Sequence, residues 1–238
     1  MNKKTQKDQV VEAMLNSGGY STLGHLNQII DFSSWKTKTP DATVRRIVQE
    51  NDEFFKIQPG LWALTECKRD VEKIFALDES KQKQDDFSHS YFQGILTLLG
   101  NLKQFNTFIP RQDKNKLFLE KKLDDICTIK EMYNFSYPDL VDRAKTVDVI
   151  WFNDRNMPYA FFEVEHTTDI SHSLIKFNEL QDFYARFHIV ADAYREKQFK
   201  KIISGITFNK IKNRVSFLSY EKIVKTYEKL SVLSEFSV

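Results

Sequence analysis

The chain has 238 residues with a formal net charge of +2, and 41% of its residues are hydrophobic and 29% charged. These values are typical of an ordinary soluble protein with one large domain or two small ones, and they neither demand nor exclude nucleic acid as a partner. Its start has no signal-peptide core and no run approaches ~18 apolar residues, so we expect a cytoplasmic protein that does not bind membranes.

The first 65 or so residues predict three helices and a β-hairpin. The stretch 6–17 carries apolar residues at helical spacing and ends at "GGY", and "STLGHLNQII" over 21–30 predicts the second helix. "TPDATVRRIVQEND" predicts the third, because Pro40 suits the first helical position after an N-cap at Thr39. "EFFKIQPGLWALTE" predicts two strands around a Pro-Gly turn. The segment is therefore predicted to be a winged helix-turn-helix.

The third helix and the hairpin resemble the HARE-HTH winged-helix family, which in bacteria is often fused to restriction-type nuclease domains. The similarity covers roughly residues 5–66 and is carried by "TPDATVRRIVQEND" running into "FFKIQPGLWAL". The third helix of such a fold lies in the major groove of DNA. The candidates for DNA contact are therefore Lys36, Lys38, Thr43, Arg45 and Arg46, with Lys56 on the wing. A solvated helix face or a protein-docking module would also fit, since fold alone does not settle function.

The remaining two thirds of the chain predict a second domain. Residues 67–87 are mostly charged and polar and are interpreted as a linker. The second domain begins with a helix over "HSYFQGILTLLG" and continues with irregular structure over 112–146. Two strands are predicted within 147–170, and they are followed by a helix, a strand, a helix, a strand and a final helix. This order predicts the α/β (α+β) class, with a sandwich around a central mixed sheet. The predicted domains are thus 1–66 and 88–238.

Acidic residues interrupt the two strands of "VDVIWFNDRNMPYAFFEVEHTTDI". Because strand side chains alternate, Glu163 and Glu165 share one face about 7 Å apart, and Asp148 can converge on them from the neighbouring strand. Convergent carboxylates suit Mg²⁺, which also binds phosphate oxygens. A wet strand face would explain alternating acids too, but the apolar "VIWF" and "AFF" beside them favour central strands.

This arrangement resembles the PD-(D/E)xK nuclease superfamily, closely over 146–180 and loosely over 88–210. Asp148 and Glu163 match the first two motif positions, whereas Glu165 stands where Lys is usual, as in restriction endonucleases with Glu-x-Glu at the site. The resemblance implies that Glu165 acts as a general base or metal-associated acid. "FEVEHTT" followed by "SLIKFNEL" is similar to a group with a basic residue at the position of Lys176, which could replace the missing charge or be a plain surface lysine.

Other positions of the second domain are weaker candidates. Gln93 stands where other superfamily members often have an acid, and His166 and Thr167 directly follow the strand acids and could line the site or end the strand. A basic cluster over 195–214 could contact phosphates or be an ordinary solvated face.

These features together predict a bacterial, sequence-specific DNA endonuclease that depends on Mg²⁺, with Mn²⁺ able to substitute. Its partner would be duplex DNA, which the winged helix would help to recognise. Because both strands of a duplex must be cut, we also expect a homodimer, which could form only when the protein is bound to DNA. The alternatives are a DNA-binding regulator with an inactive nuclease-like scaffold, or a nuclease acting on RNA or modified DNA.

Overall fold

The computed structural model describes residues 4–75, 77, 80–166 and 169–233. The chain forms two compact units, one made of Met1–Gln84 together with Val224–Val238 and the other of Asp85–Ile223. The division differs from the predicted domains 1–66 and 88–238, because most of the predicted linker and the end of the chain belong to the first unit. Within the described ranges, no helix is long and apolar enough to cross a membrane.

The first unit is built from short helices around a small sheet. In its described part the elements are α1 (Gln6–Asn16), β1 (Tyr20–Thr22), α2 (Leu23–Ile29), α3 (Pro40–Glu50), β2 (Phe54–Gln58), β3 (Leu61–Leu64) and α4 (Lys68–Ile74). The strands pair antiparallel in the order β1-β3-β2, and Gly60 has a positive φ of 77° in the β2–β3 turn, where glycine is favoured. The helices and the hairpin follow the order that we predicted, but β1 was not anticipated.

Helix α10 (Tyr220–Leu233) completes the first unit with its residues from Val224 onward. Tyr227 is buried, and its ring lies so close to Gly24 on α2 that a side chain there would overlap it. Glu228, which is also buried, accepts a hydrogen bond from Arg45 on α3. Because Tyr227 and Glu228 contact α2 and α3, this part of α10 belongs to the first unit rather than to the predicted second domain.

The second unit is a five-stranded sheet, among the described residues, with helices around it. Its elements, with α5 beginning just before the unit, are α5 (Lys81–Leu102), β4 (Asn106–Phe108), β5 (Leu117–Phe118), β6 (Lys121–Lys122), α6 (Leu123–Ile126), α7 (Pro138–Ala144), β7 (Val149–Phe152), β8 (Pro158–Glu165), α8 (Ile170–Glu179), β9 (Arg186–Ala191), α9 (Glu196–Ile203) and β10 (Val215–Ser219). The sheet order is β10-β9-β8-β7-β4. Strands β4, β7 and β8 pair antiparallel, whereas β8, β9 and β10 pair parallel. The predicted α/β class with a central mixed sheet is confirmed.

Strand β8 lies at the centre of this sheet and is buried along nearly its whole length. Phe161 on β8 stacks on Phe187 of β9, and Phe177 of α8 packs on the same ring. All four residues of β7 are buried as well, as expected for a strand covered on both faces. The acids at the end of β8 are therefore held by a rigid, well-packed strand.

Candidate active site

Asp148 immediately precedes β7 instead of lying on it, and the strand pairing brings it beside β8. Val149 is opposite Phe162 in the antiparallel register, so Asp148 lies next to Glu163. Its Oδ2 accepts a hydrogen bond of 2.7 Å from the backbone N–H of Val164. Only 9% of the residue is exposed, so the carboxylate is fixed at the edge of the buried strand pair.

Glu163 and Glu165 lie on one face of β8, as the alternation predicted, and both are buried. Helix α8 starts behind the N-cap Asp169, whose side chain accepts from the N–H of Ser171. The next residues of α8 place the hydroxyl of Ser173 3.0 Å from Glu163 Oε2 and within hydrogen-bonding distance of Glu165 Oε1. Ser173, which the sequence analysis missed, therefore ties the two carboxylates together.

Lys176 lies one turn further along α8 and contacts the carboxylate of Glu163. Its Nζ is 2.8 Å from Glu163 Oε2 and 3.0 Å from Oε1, and it also donates to the carbonyl of Thr146 at 3.1 Å. Burial tends to lower the pKa of Lys176, but the charge of Glu163 and its hydrogen bonds outweigh this and raise it. The ammonium group is therefore protonated and adjacent to the acids, not a plain surface lysine.

The acids of the site differ in their affinity for a proton. Burial, with the charge of Asp148 added to it, raises the pKa of Glu163 to about 8. Burial also tends to raise the pKa of Asp148, but the hydrogen bond and charge of His89 and the N–H of Val164 hold it below its usual range. Glu163 therefore holds a proton more tightly than Asp148, and a divalent cation bound beside it would favour its ionised form.

Helix α5 adds a second set of polar side chains to Asp148. His89 Nε2 lies 3.4 Å from Asp148 Oδ1. Gln93, which is fully buried, donates its amide to Asp113 Oδ2 at 2.9 Å and to the backbone carbonyl of Asp148 at 3.3 Å. Gln93 is therefore next to the acids, as predicted. The sequence did not lead us to predict His89 and Asp113 as site residues. For His89 a signal was present, because it lies four residues before Gln93 and therefore on the same face of the helix.

His166 borders the site beside Tyr220. The hydroxyl of Tyr220 donates to the carbonyl of Glu165 at 3.1 Å and lies 3.0 Å from His166 Nδ1. Burial and the nearby charge of His89 lower the pKa of His166 to about 4, so its imidazole is neutral at pH 7. Arg195 donates to the backbone carbonyl of His166 at 2.9 Å. The other predicted site-lining residue, Thr167, lies outside the described residues.

The acids open onto a cleft of about 470 Å³ within the second unit. Its lining includes the four predicted catalytic residues together with Ser173, His89, Lys116, His166 and His172. A cleft of this kind, with buried carboxylate oxygens converging on it and access to solvent, has the donor chemistry that Mg²⁺ and Mn²⁺ require. The residues present therefore fit a divalent cation.

The predicted DNA-contacting residues of the first unit fall into two groups. Lys36, Lys38 and Lys56 are exposed. The other three already have partners inside the unit: Arg45 pairs with Glu228, Arg46 with Glu50 at 2.9 Å, and the hydroxyl of Thr43 donates to the carbonyl of Thr39 at 3.1 Å. The three exposed lysines are thus better placed for phosphate contact than Arg45.

The basic cluster at 195–214 also divides into structural and exposed members. Arg195 is buried, and Arg214 donates to the backbone carbonyl of Phe183 at 2.5 Å and lies over the ring of Phe187. Lys200 pairs with Glu196 at 2.8 Å. The two arginines stabilise the fold, whereas Lys197, Lys200 and Lys201 on α9 are exposed, as both phosphate contact and a solvated helix face require.

Comparison with known proteins places most of the chain in one family. The family model described as the type II restriction enzyme NmeDI C-terminal domain matches residues 72–236. The type II restriction enzyme NmeDI of Neisseria meningitidis serogroup C is 33% identical over 124 residues, which are 48% of this chain and 35% of the relative. The matched part of the chain therefore covers about a third of that protein, and no solved structure matches the chain. On this evidence the chain belongs to the family of the type II restriction enzyme NmeDI C-terminal domain.

Proposed function

We propose that this chain is a Mg²⁺-dependent endonuclease that hydrolyses phosphodiester bonds of duplex DNA at specific sequences. The observation that carries the proposal is the convergence of Asp148, Glu163, Glu165 and Lys176 on one solvent-accessible cleft. A relative that is a type II restriction enzyme supports the same reaction. The position of Asp148 just before β7, with Glu163 and Glu165 on β8, supports a Glu-x-Glu variant of the PD-(D/E)xK superfamily.

Each residue of the proposed site has a separate role. Asp148, Glu163 and Glu165 would hold Mg²⁺, with Mn²⁺ able to take its place. When bound, the cation supplies Lewis-acid stabilisation of negative charge on the phosphate. Glu165, whose Oε1 accepts a hydrogen bond from Ser173, would accept the proton of an attacking water. Lys176 orients Glu163 and adds positive charge beside the phosphate.

Cleavage of genomic DNA tests the proposed reaction directly. Methylated and unmethylated DNA are incubated with the full chain, with Mg²⁺, with Mn²⁺ or with EDTA. We expect discrete bands on at least one DNA with either cation and none with EDTA. DNA that stays uncut under every condition would contradict the proposal and would favour a DNA-binding regulator without nuclease activity. Cleavage of the methylated DNA alone would show that modified DNA is the substrate.

We further propose that the first unit acts as a winged helix of the HARE-HTH type that binds the target duplex, and that two chains assemble on it. Exposed Lys36, Lys38 and Lys56 lie before α3 and on the hairpin strand β2, where such a fold meets DNA. A homodimer would provide one cleavage centre for each strand.

Substitution of Lys38 or Lys56 by Ala is expected to weaken DNA binding and to lower its salt dependence. Each lost phosphate contact reduces the slope of log K against log salt by about 0.9. The measurement is fluorescence anisotropy at several salt concentrations without divalent cation. Lys225→Ala removes the same charge from the exposed face of α10 and should bind like the wild type. Equal slopes for all the proteins would exclude these contacts.

A further inference from the structure

A group of donor atoms on the α5 side of Asp148 is separate from the Glu163–Glu165 pair. Among the described residues, the ligand atoms of His89, Asp113 and Asp148 all lie within 4.8 Å of one another. Two ligands about 2.1 Å from a shared ion are at most roughly 4.2 Å apart, so a small contraction would bring the three atoms to bonding distance. Both aspartates are buried, with 4% and 9% of their surface exposed.

The oxygen atoms of this group are already oriented by neighbours. Gln93 holds Asp113 through Oδ2, and the N–H of Val164 holds Asp148 through Oδ2. Oδ1 of Asp113 lies 2.7 Å from Lys116 Nζ, and Oδ1 of Asp148 lies 3.4 Å from His89 Nε2. Outer hydrogen bonds that fix one oxygen of a carboxylate and leave the other for the ion are characteristic of metal sites.

Gln93 provides a second, independent observation. It is fully buried, and within the described part of the chain its Oε1 accepts no hydrogen bond. A buried amide oxygen without a partner is energetically unfavourable, and such oxygens are common ligands of hard cations. The amide to which it belongs already contacts two members of the group through its nitrogen.

We propose that His89, Asp113 and Asp148 form a second metal site, selective for a first-row transition cation such as Mn²⁺ over Mg²⁺. The imidazole nitrogen gives this selectivity, because nitrogen ligands favour transition metals, whereas Mg²⁺ favours oxygen alone. Lys116, whose side chain is 38% exposed, can turn to solvent when the cation takes its place on Asp113. Asp148 then belongs to both metal sites.

Counting bound Mn²⁺ by electron paramagnetic resonance tests the second site without any DNA. The full wild-type chain is expected to bind two Mn²⁺, one of which excess Mg²⁺ does not displace, and pulsed measurements should detect a nitrogen nucleus coupled to it. His89→Ala should bind one Mn²⁺ and lose the nitrogen coupling. Asp113→Asn should weaken the second site at least about tenfold, since even the loss of an outer partner of a ligand costs 10–100-fold.

His172→Ala is the matched control, because His172 is exposed and lines the same cleft outside the group. It should retain both ions and the coupling. Absence of nitrogen coupling in the wild-type chain, or its persistence in His89→Ala, would overturn the second site. Because binding is measured apart from cleavage, a wild type that cuts DNA with Mg²⁺ yet shows no coupling refutes the second site and leaves the proposed function standing.

Discussion

Replacing Glu163 by Gln is expected to reduce Mg²⁺-dependent DNA cleavage by at least about 10³-fold. Glu163 is the acid that Lys176 and Ser173 both contact, and the amide cannot supply the negative charge that a cation ligand needs. The fold should persist, because burial raises the pKa of Glu163 to about 8 and Gln resembles the protonated acid. Initial cleavage rates on a single-site duplex measure the loss, and circular dichroism checks the fold.

Glu179→Gln is the control for this substitution. Glu179 lies on α8 like Ser173 and Lys176, but it is exposed and pairs with Arg143 away from the cleft. Its variant should cut at the wild-type rate. Binding of duplex DNA without divalent cation should be the same for both variants. A Glu163→Gln protein that still cuts DNA at a wild-type rate would remove Glu163 from the proposed site.

The strand acids could be predicted because a period-two pattern fixes which side chains share a face. Glu163 and Glu165 needed nothing more than this rule, and Asp148 needed only the pairing of two adjacent strands. A basic side chain near the acids was predicted at Lys176 because the helix after β8 resembles that of a group of nucleases. In the structure its Nζ lies 2.8 Å from Glu163 Oε2. Local periodicity therefore sufficed for most of the carboxylate site.

Long-range packing was not predictable in the same way. Asp113 lies in a segment without clear periodicity, and it reaches Gln93 only through the fold of the chain. The packing of the last helix was not predictable either, since no local sequence pattern indicates that Tyr227 packs against Gly24, about two hundred residues earlier. The β1 strand is three residues long, too short to produce an alternating pattern that differs from a helix start.

The charge of Lys176 is expected to contribute about 10²–10³-fold to the cleavage rate, comparable to a single donor that stabilises charge in a transition state. Lys176→Met preserves the aliphatic stem but removes the ammonium group that lies between Glu163 and the carbonyl of Thr146. Lys176→Arg keeps the charge and should recover part of the rate, although its planar group cannot reproduce the same contacts.

Single-turnover cleavage at saturating Mg²⁺ separates this effect from metal affinity. Lys145→Met is the control, because Lys145 is exposed and pairs with Asp142 instead of the strand acids. If Lys176 only balances the charge of Glu163, Lys176→Met will bind Mg²⁺ more tightly and cut at the wild-type rate. If it acts on the phosphate, the rate will fall although the metal is bound, and the proposed role requires this second result.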